Sequence, residues 1–277
     1  MARQPVVHDV HIATGVTLRY LEQGDPAGRA VVLLHAWGES LHSFDRLLPL
    51  LPPSMRALSL DQRGHGGADK PAGGYELASL AADVAAFLDA LDLPAAVLVG
   101  SSSGGYVAQQ VALDVPRRVT GLVLVGSPRS LHARPPFAEE VERLTDPIDP
   151  DWVRESLTWF PRFHDVPDRY IDDRVQDGLR MPARVWQATL TGLITAPPPT
   201  ETGTITAPTL VISGARDDLL PEGDQRRLAA AIPGSRLVTY EDTGHLVLWE
   251  QPERVAADLT AFVEGLERQR QVGGCGP

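Results

Sequence analysis

The sequence of 277 residues contains one cysteine, Cys275, within a glycine-rich C-terminal segment. A single thiol forms neither an intramolecular disulfide nor a cysteine-based zinc site. Chains of this length remove about three quarters of their unfolded surface from water, so they are stable without either. We therefore expect a chain that folds around its hydrophobic core and leaves Cys275 as an unused thiol.

Long hydrophobic runs and positive charge are also scarce. No stretch approaches the roughly 20 apolar residues needed to cross a bilayer, and the N-terminal residues lack the apolar core of a signal peptide. The sequence has 25 Lys and Arg residues and 36 Asp and Glu residues, which gives a formal net charge of −11. Binding to the phosphates of a nucleic acid needs a basic stripe, and the sequence has none. We expect a cytoplasmic protein that contacts neither a membrane nor a nucleic acid, and the sequence carries no signal for an oligomeric state.

Motifs for bound metals and cofactors are missing as well. The sequence has no His-Glu-x-x-His pair, no phosphate loop ending in lysine and no dinucleotide fingerprint after its first buried strand. We expect no metal and no cofactor, and a small molecule as the partner.

The apolar residues follow two different patterns. They alternate loosely over residues 6–22, which predicts a strand pair turning near Gly15. Unbroken apolar runs, typical of strands buried on both faces of a parallel sheet, follow at 30–34, 57–60, 95–99, 120–125, 209–212 and 237–240. Helices are predicted at 77–91, 104–113, 222–231 and 252–266. This alternation predicts a doubly wound α/β fold with a mostly parallel central sheet flanked by helices.

The alternation fails between about residues 130 and 199, where prolines are frequent and no strand is evident. This segment is predicted to form three or four short helices. Such an insertion is either a packing appendage or a lid over the carboxyl edge of the sheet, where ligands bind; we favour the lid. The predicted organisation is a core of residues 1–129 and 200–268, a lid of residues 130–199 and a flexible tail of residues 269–277.

A candidate nucleophile follows the apolar run at 95–99. Residues 100–104 read Gly-Ser-Ser-Ser-Gly, which fits the pattern G-x-S-x-G with Ser102 at its centre. A sharp turn from strand to helix strains the central residue, exposes its hydroxyl and requires small neighbours. Three adjacent serines could also form a polar loop, but the strand before them and the helix after them favour a nucleophile.

A serine hydroxyl needs a base to take its proton, and the base needs an acceptor to orient it. His245 follows the last strand after a Thr-Gly pair, so it is expected at the same sheet edge as Ser102. Asp217 and Asp218 both follow the strand at 209–212. We favour Asp217 as the acceptor because it lies three residues after the glycine that ends the strand, and Asp218 is the alternative.

With these residues in the order serine, aspartate, histidine, the sequence resembles the α/β-hydrolase fold superfamily over residues 6–266. Three further segments match motifs of that family: His35-Ala36-Trp37-Gly38 resembles its oxyanion loop, Asp61-Gln62-Arg63-Gly64-His65-Gly66 its Asp-x-Arg-Gly-x-Gly turn, and residues 214–221 its acid loop. The resemblance implies an α/β-hydrolase fold in which Ser102, Asp217 and His245 form a catalytic triad. It points to serine esterases and lactonases with a helical lid.

The resemblance further implies that the backbone N–H groups of Trp37 and Ser103 form an oxyanion hole. Two preorganised donors stabilise the oxygen that becomes anionic during ester cleavage. Ala36 stands where the family usually has glycine, and a positive φ there would strain alanine and weaken the Trp37 donor. Asp61 and Arg63 are interpreted as structural residues that hold the loop beneath the site.

Several large side chains fall in segments expected around the cleft. Trp152, Trp159 and Trp186 lie in the predicted lid, and Leu246 follows the candidate base. We predict that these four contact substrate, although aromatics in a helical insertion more often pack in a core. A pocket lined in this way suits a medium-sized apolar acyl or lactone group.

The expected activity is hydrolysis of a carboxylic ester or lactone through an acyl-enzyme. A carbon–carbon bond hydrolase or a perhydrolase would use the same triad, and a non-catalytic ligand receptor could share the scaffold. A serine nucleophile argues against the family's haloalkane dehalogenases and epoxide hydrolases, which use a carboxylate.

Overall fold

A computed structural model describes residues 5–131 and 135–273, with side chains up to Arg268. Cys275, predicted to be an unused thiol, lies outside the described residues. Within them, eight strands form one sheet in the order β1-β2-β4-β3-β5-β6-β7-β8. The strands are β1 (Val6–His11), β2 (Thr17–Gln23), β3 (Arg29–Leu34), β4 (Met55–Asp61), β5 (Ala96–Ser101), β6 (Val119–Val125), β7 (Thr209–Gly214) and β8 (Arg236–Tyr240).

The sheet is antiparallel at one edge and parallel elsewhere. β1 and β2 form an antiparallel pair that turns at Gly15, whose φ is +83°, and β2 runs antiparallel to β4. Every other neighbouring pair, from β4 through β3 to β8, is parallel. The strand pair at 6–22 and the mostly parallel sheet are therefore confirmed.

Helices cover both faces of this sheet. They are α1 (Leu77–Ala90), α2 (Ser103–Asp114), α8 (Glu222–Ala231), α9 (Val247–Glu250) and α10 (Pro252–Gly273). Along β3, Val32 and Leu34 pack into the core beneath α1 and α2, whereas Val31 and Leu33 pack into the opposite core with α10. Both faces of the central strands are buried, which explains their unbroken apolar sequences.

α10 is longer than the sequence predicted. It continues to Gly273, past the boundary at 268 where a flexible tail was expected to begin. The residues from Glu267 to Gln271 are strong helix formers, so the helix extends beyond Leu266, its last core residue.

The segment between β6 and β7 is helical, as predicted. It contains α3 (Ala138–Glu142), α4 (Pro150–Ser156), α5 (Asp168–Leu179), α6 (Ala183–Ile194) and α7 (Pro199–Thr202). The helices α3 to α6 share a core of their own, which includes Val153, Val175 and Trp186 and extends onto Tyr75 after β4. Among the described helices, none combines the length and apolar character that crossing a bilayer needs.

Candidate active site

Ser102 occupies a sharp turn between β5 and α2. Its φ of +48° and ψ of −121° lie in a region that residues other than glycine rarely adopt. A Cβ on Gly100 would lie 2.3 Å from backbone atoms of Gly105, and one on Gly104 would lie 2.2 Å from the carbonyl oxygen of Leu34. Because the helix packs this tightly on the strands, the surrounding backbone imposes the strained conformation of Ser102.

Ser102 begins a chain of hydrogen bonds that runs through His245 to Asp217. Oγ of Ser102 lies 3.1 Å from Nε2 of His245, and Nδ1 of His245 lies 2.8 Å from Oδ2 of Asp217. The other carboxylate oxygen of Asp217 accepts from the N–H groups of Leu219 and Leu220 at 2.9 and 2.8 Å. An ionised carboxylate only accepts, so Nδ1 carries the imidazole proton and Nε2 is free to accept from the serine hydroxyl.

The loops that carry Asp217 and His245 are fastened to each other. The N–H of Arg216 donates to the carbonyl oxygen of Thr243 at 2.9 Å, and a Cβ on Gly214 would come within 2.3 Å of the same oxygen. Asp218 instead has an exposed side chain at the mouth of the adjacent cavity. The structure therefore brings Asp217, rather than Asp218, to the imidazole.

His35 fixes the loop that follows β3. Its Nε2 accepts from the N–H of Gln62 at 3.1 Å, so its Nδ1–H donates to the carbonyl oxygen of Ala36 at 2.7 Å. Burial lowers the pKa of His35 well below its ordinary value, which keeps the ring neutral.

In the same loop, Gly38 adopts the left-handed conformation, with a φ of +82°, and Ala36 does not adopt a positive φ. The strain anticipated at Ala36 is absent.

Trp37 and Ser103, whose N–H groups were predicted to form an oxyanion hole, line the same cavity as Ser102. Ser103 is the first residue of α2, so its N–H has no acceptor within the helix. The N–H of Trp37 donates to Oγ of Ser103 at 2.7 Å, and the Trp37 indole N–H donates to Oγ1 of Thr189 in α6 at 2.9 Å. In this structure the Trp37 backbone donor is therefore engaged by a neighbouring side chain.

Asp61 and Arg63 make contacts of a structural kind. The carboxylate of Asp61 accepts from the N–H groups of Leu41 and Gly67, both at 2.6 Å. Arg63 forms a buried bidentate pair with Asp83, with both N···O distances 2.7 Å. Both residues tie loops together, and the structure places neither of them in the hydrogen-bond chain of the site.

In the part of the chain that the structure describes, no group of three His, Cys, Asp or Glu side chains is placed to hold a metal ion. His35 and His65 have ring centroids 4.9 Å apart, but Nδ1 of each ring bonds to a backbone carbonyl. These rings hold loops in place.

A cavity of about 450 Å³ opens beside Ser102 and His245. Trp159, Trp186 and Leu246, which were predicted to contact substrate, line it. Other apolar lining residues come from the helical insertion and include Leu157, Phe160, Leu190 and Leu193. The walls are mainly hydrophobic, as in sites for apolar small molecules.

Trp152 does not line this cavity, contrary to the prediction. It packs edge-on against Trp159 and Trp186, with ring centroids 5.8 and 5.3 Å away. On α4, Val153 and Ser156 line the cavity instead. Successive residues of a helix point about 100° apart, so a stripe of tryptophans in the sequence does not show which of them faces a ligand.

Three further residues at the site were not predicted from the sequence. The ring of Phe160 lies 4.8 Å from that of His245 and covers the imidazole. Glu250 is buried, and its Oε2 accepts from the N–H groups of Phe163 and His164 at 2.7 and 2.8 Å, which anchors the insertion next to the site. Glu39 lines the cavity. A single glutamate carries no sequence signal that it is buried, so only the three-dimensional packing reveals it.

Comparison with known proteins agrees with this architecture. A sequence profile of the alpha/beta hydrolase family matches residues 31–258. The chain belongs to this family, and is accordingly a hydrolase. It is 31% identical to a non-heme chloroperoxidase of Streptomyces lividans over 92% of this chain and 99% of that protein. It is 27% identical to 3-oxoadipate enol-lactonase 2 of Acinetobacter baylyi over 90% and 94% of the two chains.

Comparison with a solved structure also supports the α/β-hydrolase fold. A hydrolase from Pseudomonas aeruginosa superimposes with a TM-score of 0.81 at 27% sequence identity, covering 94% of this chain and 99% of that one. The sequence-based prediction of an α/β-hydrolase fold is thus confirmed over nearly the whole chain.

Proposed function

We propose that the protein is a serine hydrolase that cleaves a carboxylic ester or lactone of a medium-sized apolar substrate through an acyl-enzyme. The observation that carries this proposal is the hydrogen-bond chain from Ser102 through His245 to Asp217 at the wall of an apolar cavity. A nucleophile, a base and an orienting carboxylate in this order are the groups that acyl transfer requires.

The reaction runs in two halves. Ser102 Oγ attacks the substrate carbonyl while Nε2 of His245 takes the hydroxyl proton, and the same nitrogen returns that proton to the departing alkoxide. A water molecule then attacks the acyl-enzyme, gives its proton to His245 and releases the acid, and the proton passes back to Ser102. Asp217 holds the imidazole in the required tautomer and stabilises its protonated form.

The N–H groups of Ser103 and Trp37 stabilise the anionic oxygen of the tetrahedral intermediate. Removal of one such donor from a hydrolase typically costs about 2.7–4 kcal/mol of transition-state stabilisation. Ser103 lies at the N-terminus of α2, where the helix dipole also favours negative charge.

The helical insertion acts as the lid of the site in this proposal. Phe160 from the insertion packs on His245, and Trp186 packs on Trp37 with ring centroids 4.7 Å apart. These contacts cover one side of the imidazole and give the cavity its apolar walls. A medium-sized acyl chain or lactone ring suits a volume of about 450 Å³.

A panel of p-nitrophenyl esters of increasing chain length, with aryl and aliphatic lactones, tests the proposal. We expect turnover of esters or lactones that is lost in Ser102→Ala. The panel also contains a dienoic diketone, because a carbon–carbon bond hydrolase would use the same residues. Turnover of the diketone alone would overturn the ester assignment.

A second candidate reaction is perhydrolysis, in which hydrogen peroxide replaces water in attack on the acyl-enzyme. The likeness to a protein named non-heme chloroperoxidase favours it. Adding peroxide to the ester assay should then divert product from the acid to the peracid, and an unchanged product ratio would exclude this candidate.

A further inference from the structure

Residues 157–167 link α4 to α5 and contain neither helix nor strand. This segment, the strap, passes over the loop that carries His245. Three strap residues line the cavity: Leu157, Trp159 and Phe160. A Cβ on Gly244 would lie 2.8 Å from the ring of Phe163 and 3.1 Å from the carbonyl oxygen of Pro161. The strap therefore forms part of the cavity wall and also packs directly on the loop of the candidate base.

The backbone of the strap contributes little to holding the segment in place. In the part of the chain that the structure describes, no hydrogen bond between backbone groups involves residues 160–166. Segments with few such bonds open at a lower free-energy cost than the core of a protein. The strap is therefore held mainly by contacts with side chains.

Glu250 supplies two of these contacts. Its Oε2 accepts from the N–H groups of Phe163 and His164 at 2.7 and 2.8 Å. The residue is 5% exposed, and it is not among the residues that line the cavity. A carboxylate accepts stronger hydrogen bonds than a neutral oxygen does. Glu250 is thus placed to clamp the strap, and it acts on a bound substrate only through the strap.

The clamp and the candidate base belong to one compact turn. The N–H of Val247 donates to the carbonyl oxygen of His245 at 2.9 Å, and the N–H of Glu250 donates to that of Leu246 at 3.0 Å. These bonds fix the position of Glu250 relative to His245. Phe160 of the strap lies in turn over the imidazole, with ring centroids 4.8 Å apart.

Two further contacts of the strap lie at the surface. Nε2 of His164 lies 3.0 Å from the carbonyl oxygen of Asp242, and because a carbonyl only accepts, this nitrogen carries the proton. The guanidinium of Arg216 lies 4.9 Å from the centre of the Phe163 ring. Each contact has an exposed partner, whereas the Glu250 carboxylate is buried. Glu250 is therefore the residue whose loss frees the strap.

We propose that Glu250 is a positioning residue that holds the strap closed over His245, and that the closed strap makes the site selective for substrates whose chains reach Leu157 and Phe160. The inference rests on the proposed ester or lactone hydrolysis and narrows its substrate class to those with a chain of several methylene groups on the side that faces the strap. Such a chain contacts these apolar side chains only while the strap is closed. Each methylene group that is buried favours binding by about fourfold.

Limited proteolysis measures whether the strap is closed. Trypsin cleaves after Arg162, an exposed strap residue, only when the adjoining backbone is free, and exposed Arg143 in the same insertion is the reference. Cleavage at Arg162 relative to Arg143 should rise about tenfold or more in Glu250→Leu, the factor that corresponds to the loss of one hydrogen bond to a charged group. Glu250→Asp, with a shorter side chain, should behave likewise and serves where the leucine variant does not fold. Glu250→Gln keeps an acceptor oxygen and should stay closer to the wild type.

Ester kinetics measure what the closed strap does. The acyl chain is varied from p-nitrophenyl acetate to p-nitrophenyl hexanoate, and the alcohol chain from methyl acetate to hexyl acetate. We expect the wild type to prefer the longer ester about tenfold or more in kcat/KM in at least one series. In that series Glu250→Leu and Glu250→Asp should remove most of the preference, with a larger change in KM than in kcat. A residue that only supports the fold would instead lower kcat for short and long esters alike.

Glu253→Leu is the matched control. Its exposed carboxylate lies three residues further along the chain, in the first turn of α10, and the variant should match the wild type in both measurements. An unchanged cleavage ratio in the leucine and aspartate variants of Glu250 would overturn the proposal. So would equal kcat/KM for short and long esters in both wild-type series, or a preference that survives opening of the strap.

Labelling with an alkyl fluorophosphonate keeps these results distinct from a failure of the proposed function. If Ser102 is labelled and esters turn over, an unchanged cleavage ratio or a surviving preference overturns only the role of Glu250. If Ser102 is not labelled and no ester turns over, the proposed hydrolase function fails, and the selectivity assigned to the strap falls with it whatever the cleavage ratio.

Discussion

The backbone N–H of Trp37 donates a hydrogen bond to Oγ of Ser103 across 2.7 Å. The same N–H group is one of the two donors assigned here to the oxyanion. Because one hydrogen serves one strong acceptor, the serine side chain competes with the substrate oxygen for this donor. The N–H of Ser103 has no such competitor within its helix.

Ser103→Ala tests this competition. The variant keeps the backbone N–H of residue 103 and frees the N–H of Trp37, so kcat/KM for an ester should rise by about twofold to tenfold, the factor that corresponds to a net hydrogen bond of about 0.5–1.5 kcal/mol. Steady-state kinetics on p-nitrophenyl esters provide the measurement. A tenfold fall would show instead that the hydroxyl of Ser103 itself donates to the oxyanion.

Asp217→Asn should lower kcat by a factor of about 10⁴ with little change in Tm. An amide at this position favours the wrong imidazole tautomer while the shape of the loop is kept. Asp218→Asn is the matched control, since its exposed side chain does not reach His245, and it should cost less than tenfold. An equal loss in both variants would reverse the assignment of the acid.

Gly104→Ala should destabilise the fold. The added Cβ would lie 2.2 Å from the carbonyl oxygen of Leu34, and backbone of a central strand cannot move aside. Overpacking of this kind costs about 2–3 kcal/mol, which lowers Tm by roughly 4 °C or more. Gly73→Ala is the control because its Cβ would meet nothing within 4 Å. Equal Tm values for the two variants would contradict the close helix–strand packing described here.

Buried His65 should make the fold sensitive to acid. Burial lowers its pKa from 6.5 to about 4, so below pH 6.5 the unfolded chain binds a proton that the folded chain does not. The neutral ring therefore makes its full contribution to the free energy of unfolding above pH 6.5. This contribution falls by about 3 kcal/mol as the pH is lowered towards 4.

His65→Asn should lose less stability than the wild type between pH 7 and pH 4. Urea unfolding at several pH values measures the free energy of unfolding of both proteins. In the difference between the two values, the contributions of other titratable groups largely cancel. The exposed His11→Asn variant should follow the wild type. Parallel curves for His65→Asn and the wild type would show that His65 is accessible to protons in the folded state.

The sheet was predictable from the sequence because its central strands are buried on both faces. Each unbroken apolar run coincides with a strand to within two residues, as at β6, where 120–125 was predicted and Val119–Val125 is found. The short helix Val247–Glu250 was not anticipated. Four residues are too few for a helical periodicity to be recognised in a sequence.

The site was predictable only where a backbone motif demands particular residues. The turn at Ser102 needs glycines on either side, and this pattern identified the residue that the structure places beside His245. The cavity wall has no such requirement, since any apolar side chain can fill it. For that reason Trp152 was wrongly placed in the wall, and Glu39 and Phe160 were missed.

The most direct test of the account is the site of covalent labelling by an alkyl fluorophosphonate, read by intact-protein and peptide mass spectrometry. We expect one adduct per chain, carried by Ser102, that is absent in Ser102→Ala and forms far more slowly in His245→Ala. A stoichiometric adduct on another residue, or an adduct that persists in Ser102→Ala, would contradict it.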